Sequence, residues 1–156
     1  MTIYRYPYGS LEGLKDLTDR TGSELNAHAS EFDSIVVRGV SGLLVGSPVA
    51  LAIDKPLVIV RKPNEDCHDS REIVNAEALG TRYIFLDDFI SSGTTLKACC
   101  EAIKDYAQEH KFVPPSRVAS YLYENELAPR WVPIGNPAEA EWRALNTQPF
   151  LIGVSL

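Results

Sequence analysis

Four runs along the chain read as strands: residues 34–37, 57–60, 83–86 and 117–123. The first three are continuously apolar instead of alternating with polar positions. That is the pattern of strands covered on both faces, as in a parallel sheet with helices above and below. Between them, residues 42–53 are apolar enough for a crossover helix, which Pro48 is expected to kink or restart. Residues 95–110 show the clearer helical period. Leu96, Cys99, Cys100, Ile103, Tyr106 and Ala107 share one face, while Lys97, Glu101, Lys104, Asp105 and Glu109 fall elsewhere on the wheel. Residues 10–32 carry a broken helical period at Leu11, Leu14, Leu17, Leu25 and Ala29, punctuated by Gly13 and Gly22, which predicts one or two helices. The strand–helix alternation predicts an α/β fold with a mainly parallel sheet flanked by helices.

Two stretches depart from this pattern. Residues 62–72 are polar and rich in breakers, and a loop of that length inside a compact domain is commonly functional or disordered. Beyond Tyr123 the chain is cut up by Pro129, Pro133, Pro137 and Pro149, yet it holds Trp131, Trp142 and Phe150. It is expected to fold back as a small cap. With 156 residues and no linker or repeat, residues 1–156 are read as a single domain.

Composition narrows the functional classes. Hydrophobic residues at 45% and charged residues at 23% suit a globular chain with a real core. The net charge of −6, with no basic run, gives no support for a nucleic-acid-binding face. The apolar run at 42–53 is too short and too interrupted by Gly46, Ser47 and Pro48 to span a bilayer. No signal-peptide pattern opens the sequence, and Cys67, Cys99 and Cys100 make no ligand or redox spacing, so a reduced, cytoplasmic setting is expected. Cys99 and Cys100 read as small residues on a partly buried helix.

In open parallel sheets, ligands bind beyond the carboxyl ends of the strands. Here the four strands lead into Arg38-Gly39-Val40-Ser41-Gly42, Arg61-Lys62, Asp87-Asp88 and Glu124-Asn125-Glu126. Ser91, Ser92, Gly93, Thr94 and Thr95 lie between the third strand and its helix. Small residues there let backbone N–H groups converge, the helix adds the positive end of its dipole, and the hydroxyls add donors. That makes a phosphate site without a lysine, although Ser and Thr also favour plain helix caps. Asp87 and Asp88 repel each other and call for ribose hydroxyls or a cation, which makes a merely solvated rim the weaker explanation.

Residues 83–95, an apolar strand, two acids, two apolar residues and a loop of hydroxyls and glycine, resemble the phosphoribosyl diphosphate signature of the type I phosphoribosyltransferases. The match covers thirteen contiguous residues, and the element order agrees over roughly residues 30–135. By that resemblance Ser91 to Thr95 would hold the 5-phosphate, and Asp87 and Asp88 would face the ribose hydroxyls and Mg²⁺, directly or through other ligands. Arg38 and Gly39 resemble the diphosphate loop, for which the resemblance implies a non-proline cis peptide between Val37 and Arg38. Arg61-Lys62 and the loop after them resemble a catalytic lid, with Lys62 and His68 as candidates. Asp87, Asp88, Lys62 and Arg38 are thus the expected catalytic set.

The resemblance puts the base pocket in the loop after the two acids, which contains Ile90, and in a C-terminal hood within residues 124–156. Trp131 and Val132 resemble the hood's stacking pair, with a core or dimer-interface anchor as the other reading of Trp131. Members acting on 6-oxopurines typically carry Asp where Ser91 stands and Lys where Glu124 stands, so an ordinary hypoxanthine or guanine specificity is not expected. A carboxylate at Glu124 prefers a ring N–H or an exocyclic amine. The implied activity is Mg²⁺-dependent transfer of the 5-phosphoribosyl group from phosphoribosyl diphosphate to a nucleobase by a homodimer. The alternative is a non-catalytic module of the same fold that senses phosphoribosyl diphosphate or a nucleotide. A phosphatase is a third reading, weakened by the lack of a nucleophile motif around Asp87.

Overall fold

A computed structural model describes residues 9–63, 72–90, 92–124 and 130–135. Its centre is a six-stranded sheet in the order β3-β2-β1-β4-β5-β6. The strands are β1 (Ser34–Val37), β2 (Leu57–Val60), β3 (Ile73–Val74), β4 (Arg82–Asp87), β5 (Ser116–Leu122) and β6 (Trp131–Pro133). β1 pairs in parallel with both β2 and β4, and β4 pairs in parallel with β5. The two edges, β3 on β2 and β6 on β5, are antiparallel. The expected parallel core is present, and its β1 and β2 bounds coincide with the apolar runs.

The helices follow from local chemistry. α1 (Leu11–Asn26) starts at Ser10, whose Oγ accepts the Gly13 N–H at 3.0 Å. It is one helix, running through Gly22 and burying Leu17, Thr21 and Leu25 at four-residue spacing. α2 (Gly39–Ala52) runs unbroken through Pro48, so the expected restart does not occur, and it begins three residues before the apolar run predicted. α3 (Thr94–Glu109) buries Cys99, Ala102, Ile103 and Ala107.

Side chains alternate across the sheet, so each strand feeds two cores. Ile35 and Val37 of β1, Ile84 and Leu86 of β4, and Ala119 and Tyr121 of β5 pack with Leu17, Leu25, Val45 and Val49 from α1 and α2. Val36, Val58, Val60, Tyr83 and Phe85 pack on the other face with Cys99, Ala102 and Ile103 of α3. The crossovers β1-α2-β2 and β4-α3-β5 therefore cover opposite faces and run outward from β1 and β4 in opposite directions. The gap between β1 and β4 is the topological switch point of the sheet.

The turn after β1 corrects one expectation. Among the described residues no peptide bond is cis, and Val37–Arg38 is trans. Arg38 is extended, with φ −147° and ψ 134°, and the reversal falls on Gly39 at φ 78°. A glycine adopts that left-handed conformation without a Cβ clash, so the chain turns into α2 without isomerising a bond. Among the described residues no helix is long and apolar enough to cross a membrane.

Candidate functional site

The switch point brings together the two sequence features that carried the chemistry. Arg38 and Gly39 leave β1, and Asp87 and Asp88 leave its direct neighbour β4. Ligands of open α/β sheets bind in that crevice because the crossovers diverge there and leave the strand ends uncovered.

Asp87 closes β4 and is buried, at 6% exposure. Its Oδ1 accepts two hydrogen bonds, from Ser41 Oγ at 2.8 Å and from the Asp88 N–H at 3.0 Å. Asp88 is half-buried, and its Oδ1 accepts the Phe89 N–H at 2.8 Å. Burial pushes the Asp87 carboxyl up to about 6; the Ser41 hydrogen bond opposes this and the Asp88 charge adds to it. Two adjacent carboxylates in that state favour a partner carrying positive charge or hydroxyl donors.

The phosphate-loop candidates follow. Gly93 is the N-cap of α3 in the left-handed region at φ 75°, a conformation that glycine enters without penalty. Its carbonyl accepts the Lys97 N–H at 2.9 Å, which starts the helix. Ser92 Oγ lies 2.8 Å from Thr94 Oγ1 and accepts the Thr94 N–H at 3.3 Å. The first turn of α3 thus gathers hydroxyls and amide N–H groups at the positive end of a 16-residue helix. A small cavity of about 40 Å³ opens among Asp87, Ile90, Ser92, Gly93, Thr94 and Thr95. Ser91 lies outside the described residues. A larger cavity of about 440 Å³, between Glu72, Ile73 and Tyr106, holds none of the predicted site residues.

Two cations border the same rim. The Nε of Arg38 is buried and meets no hydrogen-bond partner among the described residues. Lys62, two residues past β2, lies over the turn of β1: a Cβ added to Gly39 would sit 3.3 Å from both its Cε and its Nζ. The missing side chain of Gly39 makes room for the Lys62 ammonium beside the Arg38 turn. His68, the other lid candidate, falls outside the described residues.

The base-pocket candidates divide. Glu124 reaches the rim, its N–H donating to the Asp88 carbonyl at 3.0 Å. Ile90 is half-buried beside the small cavity. Trp131 pairs with Tyr121 near the end of β5, its ring stacked on His28 with centroids 4.0 Å apart and tilted against Phe32 at 6.2 Å. Contacts to the α1 segment run in order: Arg20 to the Tyr123 carbonyl, Glu24 to Tyr121 and Arg130, His28 to Trp131. Val132 pairs with Ser120 and is buried at 1% exposure. The rest of the expected hood, beyond residue 135, is outside the described residues.

Cys99 is buried, which pushes its thiol up to about 12 and keeps it protonated; this agrees with a packing role. Two residues at the site carried no sequence expectation, Ser41 and Tyr123. Ser41 was legible only as a hydroxyl two positions beyond Gly39. Tyr123 donates from Oη to the Ser41 carbonyl at 3.1 Å and from N to the Asp87 carbonyl at 3.1 Å.

No model of a known protein family matches the chain. Among curated proteins it is 30% identical over 95 residues to "HGPRTase-like protein 2" of Halalkalicoccus jeotgali, covering 53% of this chain and 50% of that protein. It is 30% identical over 74 residues to the orotate phosphoribosyltransferase of Methanospirillum hungatei, covering 47% and 42%. The chain thus spans about half the length of these relatives or less. Among solved structures, the adenine phosphoribosyltransferase of Leishmania tarentolae superposes with a TM-score of 0.54 at 17% identity, over 72% of this chain and 57% of that one. The chain is thus similar in sequence to phosphoribosyltransferases through about half of its length, and it shares the fold of the type I phosphoribosyltransferases over nearly three quarters of it.

Proposed function

We propose that this protein binds phosphoribosyl diphosphate with Mg²⁺ and transfers its 5-phosphoribosyl group to a nucleobase, releasing diphosphate. The observation that carries the reading is the pairing at the switch point. On one side stands Arg38, whose buried Nε has no partner among the described residues, and on the other the carboxylates of Asp87 and Asp88. A ligand with an anionic and a hydroxyl-bearing end answers both. The first turn of α3, with Ser92, Thr94 and Thr95, suits the 5-phosphate, and Ser91 is assigned to the same cradle. Asp87 and Asp88 accept the ribose hydroxyls. Arg38, Gly39 and Lys62 face the departing diphosphate, where fixed cations stabilise the charge that develops.

Mg²⁺ fits this donor set. Among the described residues no cluster of three or more His, Cys, Asp or Glu side chains could cage a metal. A carboxylate pair alone matches an ion held largely by substrate oxygens and water, as Mg²⁺ commonly is. When bound, it would neutralise charge on the diphosphate. The protein's own part is to position the phosphoribosyl group and exclude alternatives while the C1–O bond breaks and a ring nitrogen attacks from the opposite face. Glu124, at the rim beside Asp88, is assigned to the base and favours one that presents a ring N–H or an exocyclic amine. Family resemblance extends the reading to a cytoplasmic homodimer.

The test is to incubate the protein with phosphoribosyl diphosphate, Mg²⁺ and a panel of nucleobases while following diphosphate release. Release with one base class supports transfer. Tight binding without release from any base would instead support the sensing module, and failure to bind would remove both readings.

A further inference from the structure

A closed circuit of hydrogen bonds joins the ends of β1, β4 and β5 beneath the rim. Ser41 Oγ donates to Asp87 Oδ1 at 2.8 Å, Tyr123 Oη donates to the Ser41 carbonyl at 3.1 Å, and the Tyr123 N–H donates to the Asp87 carbonyl at 3.1 Å. Tyr123 is held from outside, because Arg20 donates to its carbonyl at 2.8 Å and its side chain is buried at 1% exposure. The circuit spans the crevice between the Arg38–Gly39 turn and the carboxylate pair.

We propose that Ser41 is a positioning residue whose hydroxyl orients the Asp87 carboxylate so that Oδ2 is the oxygen presented to the ribose. The argument is one of acceptor capacity. Oδ1 already takes two donors, Ser41 Oγ and the Asp88 N–H. A carboxylate oxygen offers about two lone-pair sites, so Oδ1 is filled. Asp88 is less constrained: its Oδ1 accepts one of these donors, the Phe89 N–H, and keeps a site open. Asp87 then offers Oδ2 alone to one of two neighbouring hydroxyls, and Asp88 has an oxygen for the other. The Asp88 N–H alone would leave the buried Asp87 side chain held at one point; Ser41 adds the second point, from a different element. Tyr123 fixes the carbonyl of Ser41 itself, so the hydroxyl is carried on a braced turn. A buried donor that satisfies a carboxylate also steadies its charged form.

This inference rests on the proposed function and assigns one further residue to it. Its test compares the wild type, Ser41→Ala and Ser41→Thr by calorimetry with ribose 5-phosphate and, separately, with inorganic phosphate. A lost hydrogen bond to a charged group is worth about tenfold or more in affinity. Ser41→Ala is expected to bind ribose 5-phosphate ~10-fold more weakly. It should bind inorganic phosphate as the wild type does, because the α3 cradle is untouched. Ser41→Thr, which keeps the hydroxyl, should recover most of the ribose 5-phosphate affinity. Equal losses for both ligands would mean a general structural role and would overturn the proposal, as would no loss at all or no recovery in Ser41→Thr. If the wild type binds neither ligand, the functional reading itself fails. The positioning claim is then judged on a crystal structure of Ser41→Ala, where an Asp87 carboxylate in unchanged orientation overturns it.

Discussion

The indole of Trp131 lies flat on the imidazole of His28, with centroids 4.0 Å apart and planes 7° from parallel. β6 is a three-residue edge strand, and this stack, with the Arg130–Glu24 ion pair at 2.9 Å, fastens it to the helical layer. Trp131→Ala should therefore lower stability by about 2 kcal/mol or more, through lost packing and stacking. Thermal unfolding measures the loss, and on the proposed function KM for the nucleobase should stay near the wild-type value. A variant of normal stability with a sharply raised KM would instead assign Trp131 to the base pocket.

Two glycines in helices make opposite predictions. A Cβ on Gly46 would lie 2.8 Å from Val37 Cγ1, so α2 packs against β1 only because that side chain is missing. Gly46→Ala should cost about 1–3 kcal/mol by overpacking. A Cβ on Gly22 would meet nothing nearer than Ile53 Cγ2 at 4.0 Å, in the interior of α1. Gly22→Ala should stabilise by about 0.5–1 kcal/mol, since alanine loses less backbone freedom in a helix. Denaturant midpoints of the two variants should move in opposite directions.

Asp33 gives the protein an acid-sensitive joint. Its Oδ2 accepts the Thr81 and Arg82 N–H groups, each at 2.9 Å, and its Oδ1 faces Arg82 Nη2 at 3.1 Å. The Thr81 amide first, with Arg82 behind it, holds the carboxyl down from 3.8 to about 2. A depressed folded-state value means that the unfolded chain binds the proton first as pH falls. The stabilisation is thus complete above about 4 and is lost as pH falls towards 2. Asp33→Asn should be less stable near neutral pH and should show a flatter decline between pH ~4 and ~2. Unfolding measured across that window checks both statements.

On the proposed function, Arg38 should separate binding of the diphosphate from binding of the sugar phosphate. Its Nε is buried without a partner among the described residues, so a ligand oxygen there would make a charge-assisted bond. Arg38→Ala should weaken phosphoribosyl diphosphate and inorganic diphosphate by about 10- to 100-fold, the usual worth of a hydrogen bond to a charged group. Ribose 5-phosphate, which lacks the diphosphate, should bind as before. Equal losses for all three would place Arg38 in the scaffold.

Much of the fold follows from short-range rules. Continuous apolar runs mark β1 and β2 because strands buried on both faces have no polar side to show. The apolar face of α3 and the hydroxyl-rich loop before it depend on spacing within one segment, so both are readable from the chain alone. β3 and β6 escaped because two- and three-residue edge strands carry too few positions to set a period. The continuity of α2 through Pro48 likewise overrode a local propensity.

The sequence by itself determined that two acids precede a turn rich in hydroxyls and glycine, and that an arginine and a glycine follow the first strand. Only the tertiary structure decided that these features face each other. Residues 38 and 87 are neighbours because β4, not β2, lies on the far side of β1, and strand order is a product of long-range packing. The same packing brings Ser41 to Asp87, 46 positions away, and draws Trp131 to His28. Side-chain chemistry is written residue by residue, but which donor meets which acceptor depends on how the layers stack.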